Sequence, residues 1–304
     1  MQFKSESFVF EGSAAERLDR VLKQHFAGSS WAEVRRLIES GKLTVAGKLT
    51  IDAGARIPPG STLVLQMNAP KARPGHVVDD NLVVYHDAHV VVVRKPEGIS
   101  SIVHEGETES VEQRVQDWLS AREPKRAAAV HVVHRLDKVT SGVMLFARTM
   151  AAKLALKEQF RAHTVGRLYL ALVNGAMRDG TLKFRMVRNR GDGLRGVTND
   201  ANRGYFSTTH VRVREQFARC SLVECRLETG RTHQIRIHLS HVGHPIVGEN
   251  LYSKGFDGPL LTADRVMLHA ATLSFDHPVE RRRLAFDEPL APSFREYLDR
   301  VAVR

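Results

Sequence analysis

The fold of this chain is built around the stretch His134-Arg135-Leu136-Asp137-Lys138-Val139-Thr140-Ser141-Gly142. The apolar run Val143–Ala147 follows it and is typical of a buried strand. The residues Thr-Ser-Gly ahead of that run are typical of a turn, so Asp137 is predicted to lie on a loop beside a buried strand. Catalytic groups often lie on such loops. A turn aspartate that binds its own backbone is the alternative, and this stretch alone favours that alternative.

The composition limits the class of protein. The chain has 304 residues, which is enough for two domains, and its net charge of +11 favours a polyanionic partner, either nucleic acid or an anionic membrane surface. It has no apolar run long enough to span a membrane, and its start lacks the apolar core of a signal peptide. Cys220 and Cys225 differ by an odd number of positions in one strand-like segment, which points them to opposite faces, so they should not bond to each other. We expect a cytoplasmic protein, because so few cysteines suit a reducing compartment.

Residues 13–68 have the pattern of a small separate unit. One helix is predicted to begin within Glu16–Leu22, where the apolar residues share a face. A second is predicted after Ser30, with Glu33 placed for a capping box, and it should end at Gly41. Short strands are expected over residues 43–45, 49–51 and 61–66.

This unit resembles the alpha-L RNA-binding domain. The matching stretches are Arg17-Leu18-Asp19, Arg35-Arg36-Leu37-Ile38, Gly41-Lys42-Leu43-Thr44-Val45-Ala46-Gly47-Lys48 and Pro59-Gly60. The resemblance implies an RNA-binding attachment over residues 1–70, with contacts from four basic side chains: Arg35, Arg36, Lys42 and Lys48. A solvated helix face is the alternative for such charges. A basic linker rich in proline is expected over residues 71–80, ahead of a second domain over residues 81–304.

The second domain is predicted to combine strands and helices. Its strands are expected over residues 82–86, 89–94, 166–175, 221–228 and 266–275. Its helices are expected over residues 110–121, 150–161 and 292–301.

Two stretches of the second domain stay open. Residues 229–239 fit a helix capped by Thr232 and ended at Gly243, but their apolar residues also alternate as in a strand. Residues 188–204 are rich in Arg, Gly, Asn and Asp and predict a mobile basic loop. That loop either contacts RNA or is a surface insertion without a role.

Three stretches of the second domain, taken together, resemble the RluA/RluD family of pseudouridine synthases. They are His134–Gly142, Tyr169-Leu170-Ala171 and Gly230-Arg231-Thr232-His233-Gln234-Ile235-Arg236, with support from Lys95-Pro96-Glu97-Gly98, Gly243-His244-Pro245 and Leu268-His269-Ala270. The resemblance runs from about Leu82 to Pro289. It implies an α+β fold, built on a mixed, mainly antiparallel sheet with the active cleft across its middle.

The resemblance also implies the chemistry, which is the conversion of uridine into pseudouridine in RNA without a cofactor or a metal. Asp137 would act at the ribose, either as a nucleophile or as a base. Arg231 would pair with it and keep it ionised. Tyr169 would stack on the displaced uracil and could assist proton removal. Because the target base must be flipped out or already unpaired, Arg135 would fill the vacated space or hold phosphate, and His134 would either do the same or merely cap the loop.

The expected substrate is large-subunit ribosomal RNA, since relatives with this attachment commonly act there, and transfer RNA is the alternative. A non-catalytic ribosome-assembly factor is a rival from another class, and the set of Asp137, Tyr169 and Arg231 argues against it. An RNA hydrolase is a second rival, but the chain lacks paired acidic residues for metal ions. We expect a monomer with no membrane partner.

Three histidines, His238, His241 and His244, are spaced like metal ligands. No cysteine or carboxylate completes a tetrahedral set with them, so we expect them to have structural roles.

Overall fold

The structure is a computed structural model that describes residues 3–40, 42–50, 52–67, 81–104, 107, 109–123, 128–253, 256 and 258–302. The chain divides into two compact units, Met1–Val77 and Val78–Arg304. The linker predicted over residues 71–80 lies outside the described residues. Within the described part of the chain, no helix is both long enough and apolar enough to cross a membrane.

The first unit packs two helices on short strands. Leu18, Leu22, Val34 and Ile38 from the helices are fully buried against the strands. The elements are β1 Glu6–Val9, β2 Glu16–Arg17, α1 Leu18–His25, α2 Trp31–Glu39, β3 Leu43–Val45, β4 Lys48–Leu49, β5 Arg56–Ile57 and β6 Thr62–Leu65. The sheet order is β1-β6-β3-β4, and β2 pairs with β5.

The capping box predicted at the second helix is confirmed. Ser30 Oγ accepts a hydrogen bond from the Glu33 backbone N–H at 3.2 Å, and the Glu33 carboxylate accepts one from the Ser30 N–H at 2.7 Å. These two bonds satisfy backbone donors that the first turn of a helix leaves free. The helix ends at Glu39. Gly41, the predicted stop, lies outside the described residues.

The second unit is built on an eleven-stranded sheet with helices packed on it. Its strands are β7 Val83–His86, β8 Val90–Lys95, β9 His131–Val132, β10 Ser141–Ala147, β11 Gly166–Asn174, β12 Gly180–Val187, β13 Gly196–Thr198, β14 Tyr205–Gln216, β15 Cys220–Leu227, β16 Leu268–Asp276 and β17 Arg283–Asp287. Its helices are α3 Val111–Arg122, α4 Met150–Arg161, α5 Gln234–His241 and α6 Pro292–Ala302. The predicted α+β class is confirmed.

The strand order is β13-β12-β14-β15-β11-β16-β10-β8-β7. Among the described strands of this sheet, β10 and β16 form the parallel pair, and the other pairings are antiparallel. The two parallel strands approach closely at Gly142, where a Cβ would lie 2.2 Å from the Ala270 carbonyl oxygen. Its φ of +118° also favours glycine. This glycine therefore allows the loop that carries Asp137 to enter the middle of the sheet.

Strand β10 is buried on both faces, which explains its continuous apolar sequence. Met144 and Phe146 belong to the core on one face, together with Trp118 of α3. Val143 and Leu145 belong to the core on the other face. The loop before β10 is thus anchored in the best-packed part of the unit.

Residues 188–204 differ from the predicted loop. Gly196–Thr198 form strand β13, which pairs with β12 at the edge of the sheet. The turn before it is held by Asn189, whose Oδ1 accepts hydrogen bonds from the backbone N–H groups of Gly191 and Gly193. A three-residue strand is too short to show periodicity, so the sequence pattern could not reveal it.

Candidate active site

An open cleft of about 1250 Å³ lies in the second unit. Its lining includes residues from places that are distant in the sequence, among them the loop before β10, the start of β11 and the segment between β15 and α5. Asp137, Tyr169 and Arg231, the three predicted catalytic residues, all line it. The sheet order explains this, because β10 and β11 both flank β16, and β15 flanks β11.

The loop that carries Asp137 is held by side chains beneath it. Ser101 Oγ donates to the Leu136 carbonyl at 2.8 Å and accepts from the Leu136 N–H at 3.1 Å. The Gly98 N–H donates to the Lys138 carbonyl at 2.8 Å. The backbone on both sides of Asp137 is therefore fixed, and its side chain, 22% exposed, faces the cleft.

Lys95 is the most unusual of these supports because its side chain is fully buried. Its ammonium donates to the carbonyls of Pro96 at 2.9 Å, Lys138 at 3.1 Å and Thr140 at 2.7 Å. Burial lowers the pKa of Lys95 to about 7, against the attraction of Asp137. The Lys95 amino group thus ties β8 to both ends of the turn that follows Asp137.

The Asp137 carboxylate has two nitrogen neighbours among the described side chains. Arg236 Nη1 lies 3.8 Å from Oδ2, and His233 Nε2 lies 4.0 Å from Oδ1. Burial lowers the pKa of His233, although Asp137 opposes this shift. The charged neighbour of Asp137 at neutral pH is therefore Arg236.

The expected pair between Arg231 and Asp137 is not found among the described contacts. Arg231 is exposed, and its guanidinium lies 5.1 Å from the centre of the Tyr205 ring. The reason is the start of α5, where Gln234 is buried and its Oε1 accepts the Arg231 backbone N–H at 3.0 Å. This bond fixes the backbone at Arg231, whose exposed side chain lies at the edge of the cleft, while Arg236 on the helix reaches Asp137.

The start of α5 settles the stretch that the sequence left open between helix and strand. Residues 234–241 are helical, but His233, not Thr232, is the capping residue, and it has a left-handed φ of +59°. Its ring does not cap the helix. Nδ1 instead lies 2.6 Å from the Tyr252 hydroxyl.

Arg236 is held in place by a second carboxylate. Its Nε and Nη2 donate to Glu249 at 2.6 and 2.8 Å, and both side chains are buried. Burial opposes the charge on Arg236, but the ion pair with Glu249 raises the pKa of the guanidinium above its usual value. Planar bidentate pairs of this kind fix the orientation of arginine. Glu249 therefore aims one edge of the guanidinium at Asp137.

Tyr169 lies near the start of β11, next to an irregularity in the register between β11 and β16. Its side chain is largely buried, and it lines the cleft. Burial and the nearby charge of Asp137 raise the pKa of its hydroxyl, against the effect of Arg167. The phenol is thus protonated at neutral pH.

The two predicted RNA contacts beside Asp137 have different surroundings. Arg135 is exposed at the cleft. His134 also lines the cleft, but its Nε2 accepts the Leu145 N–H at 3.0 Å and its ring stacks on Phe160. Burial, together with the charge of Arg167, lowers the pKa of His134 to about 3. His134 is therefore a neutral side chain that joins the loop to β10.

The predicted RNA contacts of the first unit are partly described. Arg35 and Arg36 are exposed on α2. The Lys42 ammonium donates to the Met67 carbonyl at 2.7 Å, which leaves part of its donor capacity for another partner. The side chain of Lys48 lies outside the described part of the structure.

The histidines near α5 make bonds within the fold. His238 Nε2 lies 2.7 Å from Ser207 Oγ, and His244 Nδ1 lies 2.9 Å from the Asn174 carbonyl oxygen. His241 packs edge-on against Phe184.

Similarity to known protein families covers both units. A family model described as RNA pseudouridylate synthase matches residues 89–241, which include Asp137, Tyr169 and Arg236. This chain belongs to the RNA pseudouridine synthase family. An S4 domain model matches residues 16–63, so the enzyme carries an N-terminal S4 domain, in the unit that resembles the alpha-L domain.

Two curated relatives of this pseudouridine synthase are similar over nearly the whole chain. The Ribosomal large subunit pseudouridine synthase D of Xylella fastidiosa is 38% identical to this chain, and the similar region covers 91% of this chain and 86% of that protein. The protein of the same name from Xanthomonas campestris is 37% identical and covers 94% of this chain and 88% of its own. Among solved structures, Human RNA Pseudouridylate Synthase Domain Containing 4 shares the fold, with a TM-score of 0.63, 22% identity and coverage of 75% of this chain and 96% of its own.

Three residues near the cleft of this pseudouridine synthase were not predicted from the sequence. Arg236 lay within the quoted arginine motif, but spacing could not show which arginine faces the aspartate. Lys95 lay in the supporting Lys-Pro-Glu-Gly match, which indicated no contact with the loop after Asp137. Glu249 belongs to none of the quoted motifs, and only its short distance to Arg236 in the structure identifies it as part of the site.

Proposed function

We propose that this pseudouridine synthase isomerises uridines of large-subunit ribosomal RNA, with Asp137 as the catalytic carboxylate. The observation that carries the catalytic part is the position of Asp137 in the cleft, on a fixed loop, 3.8 Å from the buried Arg236. The substrate part is supported by the names of the two relatives, which act on the large ribosomal subunit by their titles. The S4 domain and the net charge of +11 agree with a structured polyanion as substrate.

The reaction needs a carboxylate beside the ribose of the target uridine. Asp137 either attacks the glycosidic carbon or removes a proton from the neighbouring ribose carbon, and both routes release the base for rotation. Arg236 positions the carboxylate and stabilises its charge by Coulomb attraction. It holds this position in every step, because Glu249 binds its other edge.

Tyr169 is proposed to stack on the displaced uracil and to take part in the removal of the proton from the ring carbon. A phenol with a raised pKa keeps its own proton at neutral pH. It is therefore suited to relay a proton through its hydroxyl oxygen, which can accept and donate hydrogen bonds. Arg231 is proposed to contact RNA at the edge of the cleft and not to touch the reacting atoms.

The target base has to leave its stack to reach Asp137. A cleft of about 1250 Å³ is large enough for a nucleotide and the backbone around it. The exposed Arg135, next to Asp137 in sequence, is proposed to hold a phosphate or to fill the space that the base vacates. The neutral His134 would then act on RNA only through the position of the loop.

The Asp137→Asn substitution, with pseudouridine mapped across total RNA, tests this proposal. Asparagine keeps the shape of the side chain, and Arg236 keeps Glu249 as its partner, so the variant should fold with near-normal RNA affinity. We expect wild-type protein to restore pseudouridine in large-subunit ribosomal RNA of a strain that lacks it, and Asp137→Asn to restore none. A control substitution, Asp200→Asn, removes a carboxylate from an exposed turn outside the cleft lining and should leave the activity intact.

The outcomes separate the alternatives. Pseudouridine that appears only in transfer RNA would replace the proposed substrate and leave the catalytic residue in place. A wild-type rate in Asp137→Asn would exclude Asp137 as the catalytic residue. Unchanged RNA after incubation with excess wild-type protein would indicate a binding factor, and strand breaks would indicate a hydrolase.

We also infer that the enzyme works as a monomer in the cytoplasm. In support, Cys220 and Cys225 are free and buried, which suits a reducing compartment. In addition, Asp137, Tyr169 and Arg236 all belong to one chain. Light scattering coupled to gel filtration should give the mass of one chain, and twice that mass would contradict the monomer.

A further inference from the structure

The β12–β14 ribbon at the side of the cleft carries an unusual pair of aromatic residues. Tyr205 is 70% exposed and Phe206 is 53% exposed, at the start of β14. Covering a side chain of this size removes apolar surface from water, which is favourable. Two adjacent exposed rings are therefore a candidate surface for a partner.

The two rings lie on opposite faces of the ribbon, because successive side chains of a strand alternate. Tyr205 is directly opposite Met186, which packs on Ile237 of α5. Phe206 is opposite Arg185, whose guanidinium lies 4.2 Å from the Phe206 ring centre. Tyr205 is thus on the face toward α5, and Phe206 is on the other face.

Arg231 connects Tyr205 to the cleft. Its guanidinium is 5.1 Å from the Tyr205 ring centre, within the range of a cation–π contact. Arg231 also lines the cleft, together with Arg195 from the segment before β13. The ring therefore continues the cleft lining outward, beside the guanidinium of Arg231.

The chemistry of this surface fits an unpaired nucleotide. An open aromatic ring accepts the face of any base, and guanidinium groups beside it bind the phosphates that flank the base. The site also adjoins the cleft through Arg231, so a strand whose uridine is inside the cleft can reach it. A protein partner fits less well, because the surroundings are cationic and the chain has a net charge of +11.

We propose that Tyr205 is a stacking platform for an unpaired base near the target uridine, with Arg231 bound to the phosphate backbone between them. This inference rests on the proposed function only in that the substrate is an RNA with a uridine in the cleft. The platform contributes to RNA affinity and not to the chemical step.

The test compares three variants on unmodified large-subunit ribosomal RNA made by transcription. Tyr205→Leu removes the ring, Tyr205→Phe keeps it, and Phe206→Leu removes a similarly exposed ring from the other face. Base–aromatic stacking predicts that Tyr205→Leu raises the half-saturating RNA concentration about tenfold, with an unchanged rate at saturation. Tyr205→Phe and Phe206→Leu should behave as wild type, and all three should melt at the wild-type temperature, because neither ring is buried.

An abasic scan then locates the stacked base. Each nucleotide near the modified uridine is replaced in turn by an abasic one in a short RNA that contains the site. At one position, wild-type enzyme should lose about tenfold in affinity, and Tyr205→Leu should lose nothing further there. If the modified RNA proves to be a transfer RNA, the same variants and scan are applied to that RNA.

Three results would overturn the platform. They are a wild-type half-saturating concentration in Tyr205→Leu, an equal loss in Phe206→Leu, and an abasic scan that affects wild type and Tyr205→Leu alike at every position. Failure of the proposed function looks different, because wild-type enzyme would then form no pseudouridine in any RNA.

Discussion

At the scale of single residues, the arrangement that matters most is an arginine between two carboxylates. Arg236 lies 3.8 Å from Asp137 and forms a bidentate pair with Glu249 at 2.6 and 2.8 Å. The close pair holds the guanidinium, and the longer contact places its other edge beside Asp137. Arg231, five residues earlier, stays in solvent beside Tyr205.

The two arginines should therefore give different kinetics. We expect Arg236→Gln to abolish single-turnover formation of pseudouridine. We expect Arg231→Gln to raise the half-saturating RNA concentration with little change in the saturated rate. The measurement is single-turnover kinetics over a range of enzyme concentrations. The reverse pattern would return the catalytic role to Arg231.

A folding control is needed for Arg236→Gln. Removal of this cation leaves the buried Glu249 unpaired, which costs roughly 3–5 kcal/mol of stability. The double variant Arg236→Gln/Glu249→Gln removes both charges and should recover much of that loss. It should nevertheless stay inactive, since Asp137 still lacks its positioning partner.

Tyr169→Phe separates stacking from proton transfer. The ring remains in its buried place at the start of β11, so RNA binding should be unchanged. The hydroxyl, whose pKa burial raises, is lost, and product formation in a single turnover should be slow or absent. Filter binding and single-turnover assays on the same preparation measure the two effects. A wild-type rate would reduce Tyr169 to a stacking surface.

At the scale of elements, neutral histidines form hydrogen bonds that join parts of the second unit, both within the sheet and between the sheet and α5. Burial lowers the pKa of His134 to about 3, and it lowers the pKa of His238 and His269 to about 4. His134 accepts the Leu145 N–H, His238 bonds Ser207 of β14, and His269 of β16 bonds Ser141 of β10. These elements hold both the Asp137 loop and Arg236.

The stability of the second unit should therefore fall in mild acid. Each histidine has a pKa near 6.5 when unfolded, so below about pH 6.5 the unfolded chain binds more protons than the folded one. The free energy of unfolding should decrease as the pH falls from 6.5 to 5, by at most about 1.4 kcal/mol per pH unit for each histidine. Denaturant titrations at a series of pH values measure this slope.

His238→Asn provides the control for this slope. Asparagine can still bond Ser207 but does not titrate, so the variant should lose part of the dependence between pH 6.5 and 5. An equal slope in wild type and His238→Asn would show that other groups cause the acid sensitivity.

At the scale of the whole molecule, the chain separates RNA attachment from chemistry. The first unit has its own core, formed by α1, α2 and the strands beneath them. All residues that line the cleft belong to the second unit. The positive charge of the chain acts over both units and favours long-range attraction of RNA.

Removal of residues 1–70 should weaken binding to structured RNA but leave the chemical step intact. RNA affinity of the full chain should also fall steeply with salt, because each neutralised phosphate releases counterions, and the shortened chain should show a smaller salt slope. Affinity measured over a series of salt concentrations and single-turnover rates at saturation check both statements. A folded, saturated truncation without activity would contradict this division of labour.

The sequence by itself determined the features that depend on local pattern. The apolar run after Gly142 indicated a buried strand, and it is buried on both faces. Ser30 and Glu33 indicated a capping box, and both of its bonds form. The order of the motifs indicated the family. Each motif is a short contiguous stretch, so it can be recognised in the sequence without knowing which residues lie near it in space.

Only the tertiary structure decided which side chains meet. Arg236, not Arg231, faces Asp137, because the buried Gln234 binds the Arg231 N–H and the helix begins after it. Residues 196–198 became a strand because β12 offers an edge to pair with. Lys95 became a support of the Asp137 loop because three carbonyls converge on it. The contacts of Arg236 with Asp137, of β13 with β12, and of Lys95 with the Lys138 and Thr140 carbonyls join residues that are separated by a turn or a longer segment, so their distances follow from packing and not from spacing along the chain.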